Sequence, residues 1–280
     1  MTPHFFGCTE SGLLVLENLQ ESEFHAKQRG SLLNLSECRV VLESIARFHV
    51  LSMGLTSMFQ TDLGSIETSI SSNNGDWLTE IYIPLVANLR KHVLPSCSES
   101  VRKKFEEYMR RVGSIRKLGY SPNNEGFNVI LHGDLHLHNI LFKNDLESNV
   151  TQCKLVDFQI CHLGSPIIDI LYFLITGVEF KVFKKNRLSL LNCYIQELEI
   201  TLKKFGSCKL TPRPFGLNES LNDFEKYKLF FLYRFTILVP LFWAGQMDSG
   251  TLNKESNIDT VLKSAEFLSL FNGWAEYLLQ

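Results

Sequence analysis

No Cys-x-x-Cys pair occurs in this 280-residue chain, although it holds seven cysteines, at 8, 38, 97, 153, 161, 193 and 208. An odd, scattered set excludes a disulfide framework and points to free thiols in a reducing compartment. Neither sign of charge dominates: 28 basic residues face 30 acidic ones, for a net charge of −2. That balance removes any global electrostatic reason to expect nucleic acid as a partner. The start, M-T-P-H-F-F-G-C-T-E, lacks a basic segment followed by a long apolar run, so no signal peptide is read there. Uninterrupted apolar runs of membrane-spanning length are also missing. The two nearest, 165–178 and 229–245, are broken by Pro166 and Asp169 and by Arg234 and Pro240. They read as buried helices rather than spans. The expectation is a cytoplasmic protein with no membrane or nucleic-acid partner.

What is present suits one large domain or two smaller ones. Hydrophobic residues make up 45% and charged residues 21%, with 21 phenylalanines, so a sizeable aromatic-rich core is expected. Residues 3–8 and 13–19 read as short strands around the turn-like T-E-S-G. Leu13 to Leu16 form a continuous apolar run, as in a strand covered on both faces. The polar stretch 20–35 reads as a connection. Val40, Val41, Ile45, Phe48 and Leu51 then recur at helical spacing. Residues 60–76, rich in Ser, Thr, Asn and Gly, read as a loop, followed by helices at 77–94 and 98–118. After a loop at 119–127 come three apolar runs, N-V-I-L, N-I-L-F and K-L-V-D-F, with K-N-D-L-E-S-N between the last two. The latter pair predicts a β-hairpin, 140–143 against 153–156. Segments 166–204, 222–246 and 256–279 have helical patterns, with P-R-P at 212–214 marking a break.

Chemistry concentrates at 130–142, I-L-H-G-D-L-H-L-H-N-I-L-F, and 153–159, C-K-L-V-D-F-Q. Asp134 leaves a buried run through a glycine. Asn139 opens the next strand, and Asp157 ends the strand pairing back on it. The hairpin therefore brings Asn139 and Asp157 to one end, with Asp134 nearby. Two carboxylates and an amide oxygen form the hard, oxygen-rich set that Mg²⁺ prefers. Phosphoryl transfer uses such a set: one Asp orients and deprotonates a hydroxyl, while the other Asp and the Asn hold the metal on the nucleotide phosphates. The spacing His132-x-x-x-His136-x-His138 also admits a metal site, and G-D-L-H resembles the first motif of metallophosphoesterases. That family needs a later Asn-His dipeptide, which is absent here. His49 reads as a core histidine.

The strings H-G-D-x-x-x-x-N and V-D-F resemble motifs of the aminoglycoside phosphotransferase and choline kinase-like families. The fuller set resembles the ecdysteroid kinase-like, or CHK kinase-like, group. It comprises H-G-D-L-H-L-H-N-I-L-F, K-L-V-D-F-Q, G-S-P-I-I-D-I-L-Y-F-L, L-V-L-E-N-L at 14–19 and I-A-R-F-H at 45–49. That resemblance implies an α+β, protein-kinase-like fold. Residues 1–19 would be an N-lobe remnant and hinge, and 20–280 a mostly helical C-lobe. It implies Asp134 as catalytic base, Asn139 and Asp157 as Mg²⁺ ligands, and adenine against the backbone of Glu17, Asn18 and Leu19. It also implies His132 as a brace of the catalytic loop and Asp169 as a buried acceptor for that loop's backbone. ATP and Mg²⁺ would be the cofactors. The partner would be a small lipophilic hydroxyl acceptor, steroids being one class, and choline-type acceptors the alternative.

The chain departs from the resemblance before the hinge. The thirteen residues preceding Leu14 contain no lysine or arginine, where the family pattern needs a glycine-containing loop and a phosphate-binding lysine. Lys27 and Arg29 follow the hinge and are poor substitutes. The expectation is a truncated N-lobe and weak ATP binding. The alternative is a non-catalytic binding or regulatory relic that keeps the acceptor pocket.

Overall fold

Strands β1 (Phe5–Cys8) and β2 (Leu14–Leu16) pair antiparallel, Phe5 opposite Leu16 and Cys8 opposite Leu14. The computed structural model describes residues 2–28, 31–59, 82–123, 126–204, 215–244 and 254–280. Gly12, at φ +83°, closes the turn between the two strands. This hairpin corrects the reading of 13–16 as covered on both faces. Phe6 is 65% exposed and Leu14 66%, and Phe5, Val15 and Leu16 are exposed as well. The apolar run reports strand propensity alone, because no described element packs over it.

The connection read at 20–35 contains a two-residue strand, β3 (His25–Ala26), which pairs with β5 (Ile140–Asn144). Two residues are too few for an alternating pattern, so only the partner reveals this strand. β5 pairs antiparallel with β6 (Val150–Leu155), Ile140 opposite Leu155 and Phe142 opposite Cys153. The predicted hairpin register is the observed one. β4 (Val129–Leu131) pairs instead with β7 (His162–Gly164), a strand the sequence does not announce.

Among the described residues, eight helices enclose these strands. They are α1 (Leu35–Phe59), α2 (Ile83–His92), α3 (Glu99–Gly119), α4 (Ile167–Gly177), α5 (Phe180–Lys204), α6 (Leu217–Ala244), α7 (Lys254–Lys263) and α8 (Ala265–Leu278). α1 lies along α5 and over β6, while α6 packs against α3 and α4. The loop read at 60–76, the first residues of the helix read at 77–94, and the P-R-P break lie outside the described residues.

α6 is long and apolar enough to span a bilayer by length and composition, but 67% of its most apolar window is buried within the chain. α4 is buried almost throughout, with Ile167, Ile168, Ile170, Leu171, Phe173 and Leu174 in the core. Each such side chain contributes about 1.5–3 kcal/mol on burial. Together they carry one carboxylate, Asp169, into the interior behind β4.

Candidate active site

β4 ends in a sharp turn at His132-Gly133-Asp134. Gly133 sits at φ +81°, and a Cβ there would lie 2.4 Å from the Ile160 carbonyl oxygen. Only glycine fits both the dihedral and the space. Two backbone donors of this turn are taken by Asp169: His132 N–H at 2.7 Å and Gly133 N–H at 3.0 Å. His49 Nε2 stands 3.1 Å from the same carboxylate, and Tyr194 Oη holds His49 Nδ1 at 2.8 Å. Asp169 and His49 are wholly buried. Burial pushes the Asp169 carboxyl up, but His49 and the His132 side outweigh it and hold it below the usual carboxylate range. Both residues are structural supports, as the sequence suggests.

His132 braces the loop from its other ring atom. Nε2 donates to the Val156 carbonyl at 2.9 Å, which leaves Nδ1 bare to accept the Asp134 N–H at 3.3 Å. With both nitrogens occupied and the ring buried, His132 is no metal ligand. His136 Nδ1 accepts the His138 N–H at 3.2 Å. Among the described residues no group of three His, Cys, Asp or Glu could hold a metal. The histidine spacing therefore makes no metal cluster.

Asp134 is held through both its side chain and its backbone. Tyr172 O–H donates to its Oδ1 at 2.7 Å. Asn139 Nδ2 donates to its carbonyl at 2.9 Å and reaches Oδ2 at 3.4 Å. His136 Nε2 lies 3.6 Å from Oδ2. Burial pushes the Asp134 carboxyl up. The nearby His136 ring, the Tyr172 hydrogen bond and the Arg234 charge overcome that and bring its pKa down to about 2.

Asn139 closes a 3₁₀ turn, Leu137–Asn139, and its carbonyl accepts the Val156 N–H at 3.0 Å. That bond sets Asp157 at the same end of the hairpin as Asn139. Asp157 adopts a left-handed φ of +68°, is exposed, and accepts from Gln159 Nε2 at 3.3 Å. Asn139 Nδ2 is turned to Asp134, and its amide Oδ1 accepts no hydrogen bond among the described residues. An amide oxygen and an exposed carboxylate are hard donors of the kind that suits Mg²⁺ with phosphate and water completing its shell.

The hinge-like segment is tied to this hairpin. Glu17 N–H donates to His4 O at 2.8 Å, and its carboxylate takes the His4 N–H, the Ser22 hydroxyl and the Lys154 ammonium of β6. Asn18 Oδ1 accepts the Gln20 N–H at 3.2 Å, and the Leu19 carbonyl accepts the Phe24 N–H at 2.8 Å. The Glu17 C=O and the Leu19 N–H make no hydrogen bond among the described residues. Lys27, which follows the hinge-like segment, pairs with Glu37 of α1.

The Lys154 hydrogen bond, then the His4 and Ser22 donors, lower the Glu17 pKa to about 2. A carboxylate depressed on folding stabilises above its unfolded pKa, and that stability is lost as pH falls through the folded value. The clamp is therefore intact above pH 4.5 and released between 4.5 and about 2. In Glu17→Gln, hydrogen exchange at 17–24 should be fast already at neutral pH. Wild-type protection in that variant would remove the clamp.

Two site residues escape motif reading. Tyr172 reads as one more core aromatic, and Arg234 as an interruption of an apolar run. Arg234 Nη2 donates to the Gly133 carbonyl at 2.9 Å, and its guanidinium lies 4.7 Å from the Tyr172 ring and 5.2 Å from that of Tyr120. A lone charge in the apolar run 229–244 is the available signal, since such residues are rarely buried without a task. Beside the 3₁₀ turn, Ser31, Leu32, Leu137, His138, Thr176, Val239, Phe242 and Trp243 line a small cleft of mixed polarity. Phe242 also packs on His136, ring centroids 4.6 Å apart. Phe230, Phe231, Tyr233 and Phe235 are core instead.

In comparisons with known proteins, the ecdysteroid kinase-like family matches residues 2–207. No curated protein matches the chain. Among solved structures, a Plasmodium vivax ethanolamine kinase is similar at 13% identity and TM-score 0.42, covering 96% of this chain and 70% of that one. A choline/ethanolamine kinase family protein from Mesorhizobium loti is similar at 13% identity and TM-score 0.37, covering 97% and 78%.

Proposed function

The chain belongs to the ecdysteroid kinase-like family, and from that premise we propose an ATP- and Mg²⁺-dependent phosphotransferase acting on a hydroxyl of a small lipophilic molecule, an ecdysteroid-like steroid in the first instance. The observation that carries this reading is the fixed, ionised Asp134 in hydrogen-bond contact with Asn139, at the hairpin end that also bears Asp157. The lipophilic character of the acceptor rests on the family match. Unpaired thiols at Cys38, Cys97 and Cys153 support a reducing, cytoplasmic setting.

In this mechanism the acceptor oxygen attacks the γ-phosphorus, the β–γ bridging P–O bond breaks, and ADP departs. The acceptor proton passes to Asp134. A carboxylate with a pKa of about 2 is a weak base, so orientation is its main service. The proton moves late, once the new ester bond has acidified the oxygen. Asn139 Oδ1 and Asp157 would hold Mg²⁺, which neutralises charge on the phosphates when bound. The Glu17 C=O and Leu19 N–H, an acceptor and a donor two residues apart, would meet the adenine edge. His4 to Leu13 supply no cation to the phosphates, so MgATP affinity is expected to be weak.

The test incubates the 280-residue chain with millimolar MgATP and an ecdysteroid, with choline and ethanolamine as controls. The expected result is a steroid product heavier by one phosphoryl group, with MgATP binding too weak for calorimetry. No phosphorylated product from any acceptor would sink the reading. Steroid binding without transfer would favour the non-catalytic relic, and micromolar MgATP affinity would overturn the expected weakness.

A further inference from the structure

We propose that Tyr172 and Arg234 are a positioning pair for Asp134: the arginine fixes the tyrosine, and the tyrosine hydroxyl selects which carboxylate oxygen faces the acceptor. This rests on the reading of Asp134 as the residue that meets the acceptor hydroxyl.

Tyr172 lies three residues after Asp169 on α4, so the two share a helix face. One face of α4 thus holds the backbone donors of the catalytic turn and presents a hydroxyl to the carboxylate of that same turn. Tyr172 is buried, so no bulk water competes for its 2.7 Å bond to Asp134 Oδ1. The phenol ring is covered by the Arg234 guanidinium at 4.7 Å. The arginine also grips the Gly133 carbonyl at 2.9 Å, one residue before Asp134. A single side chain therefore touches both the turn and the tyrosine that steers it.

Arg234 is an expensive choice for packing alone. It is 7% exposed, and its Nε has no hydrogen-bond partner among the described residues. A buried charge with an unmade hydrogen bond costs stability that an apolar residue of similar size would not. The charge fits a role at Asp134. With Oδ1 occupied by Tyr172, the reacting oxygen is Oδ2. Its neighbours, Asn139 Nδ2 at 3.4 Å and His136 Nε2 at 3.6 Å, are distant enough to yield to an incoming hydroxyl.

The test uses the full chain with ¹³Cζ-labelled tyrosine, comparing wild type with Tyr172→Phe, Asp134→Asn, Arg234→Met and Arg234→Lys. Loss of one resonance in Tyr172→Phe assigns Tyr172. That resonance should move in Asp134→Asn and Arg234→Met, and return towards wild type in Arg234→Lys. In the phosphoryl-transfer assay, Tyr172→Phe should lower kcat about 10- to 100-fold with acceptor KM unchanged and a fall in Tm of a few degrees at most, because the ring and its packing remain while one hydrogen bond is lost. A Tyr172 resonance indifferent to Asp134→Asn, or a wild-type kcat in Tyr172→Phe, would overturn the pair. Tyr172→Phe decides the matter even where Arg234→Met fails to fold. A wild-type chain with no turnover retires the phosphotransferase reading, and the resonance shifts then decide the pair by themselves.

Discussion

Asp134→Asn is expected to abolish phosphoryl transfer while leaving the fold in place. The amide keeps the size of the carboxylate and can still accept the Tyr172 hydroxyl. It cannot take the acceptor proton, and it carries no charge to align the hydroxyl. General-base assistance is worth roughly 10²–10⁴-fold, and lost alignment adds to that. The fold should survive because the turn is held elsewhere, by Asp169 on the N–H groups of His132 and Gly133 and by His132 on Val156. A scanning-calorimetry Tm within a few degrees of wild type, beside turnover lowered at least 100-fold, is the expected pair of results (on the order set by general-base catalysis). Wild-type turnover would remove Asp134 from the mechanism.

Asp169→Ala should be the most destabilising single change at the site. It leaves the N–H groups of His132 and Gly133 and one nitrogen of His49 without an acceptor in a fully buried setting. Breaking a buried, hydrogen-bonded charge by deleting one partner costs about 3–5 kcal/mol. For a chain of this size that is a fall in Tm on the order of 10 °C. Because the Asp169 carboxyl is held below its ordinary value of 3.8, its stabilisation is present above that pH and is lost as pH falls further. The variant should therefore lack part of the wild type's acid transition below pH 3.8. A wild-type Tm in Asp169→Ala would show that the turn is secured by other contacts.

The local elements were legible to different depths. The β5–β6 hairpin was readable because apolar runs flank a polar turn, and its register follows from the side-chain period of two. α1 and α3 followed from helical spacing. β7 and β3 are not readable, being three and two residues long, and each shows itself only through the strand it pairs with. The exposure of Leu13 to Leu16 has the same cause. An apolar run records what a strand could cover, and only its neighbours decide what it does cover.

By itself the sequence determined the local chemistry: a glycine turn that delivers Asp134, an asparagine five residues on, and an aspartate at the end of the returning strand. Such features rest on short-range sterics and pairing periods, which any reader of the chain can apply. Tertiary structure alone decided how Asp134 is held. Its tyrosine lies 38 residues away, and the arginine bonded to the preceding glycine lies 101 residues from it. Burial and hydrogen-bond direction depend on which helix face meets which turn, and no local period records that meeting.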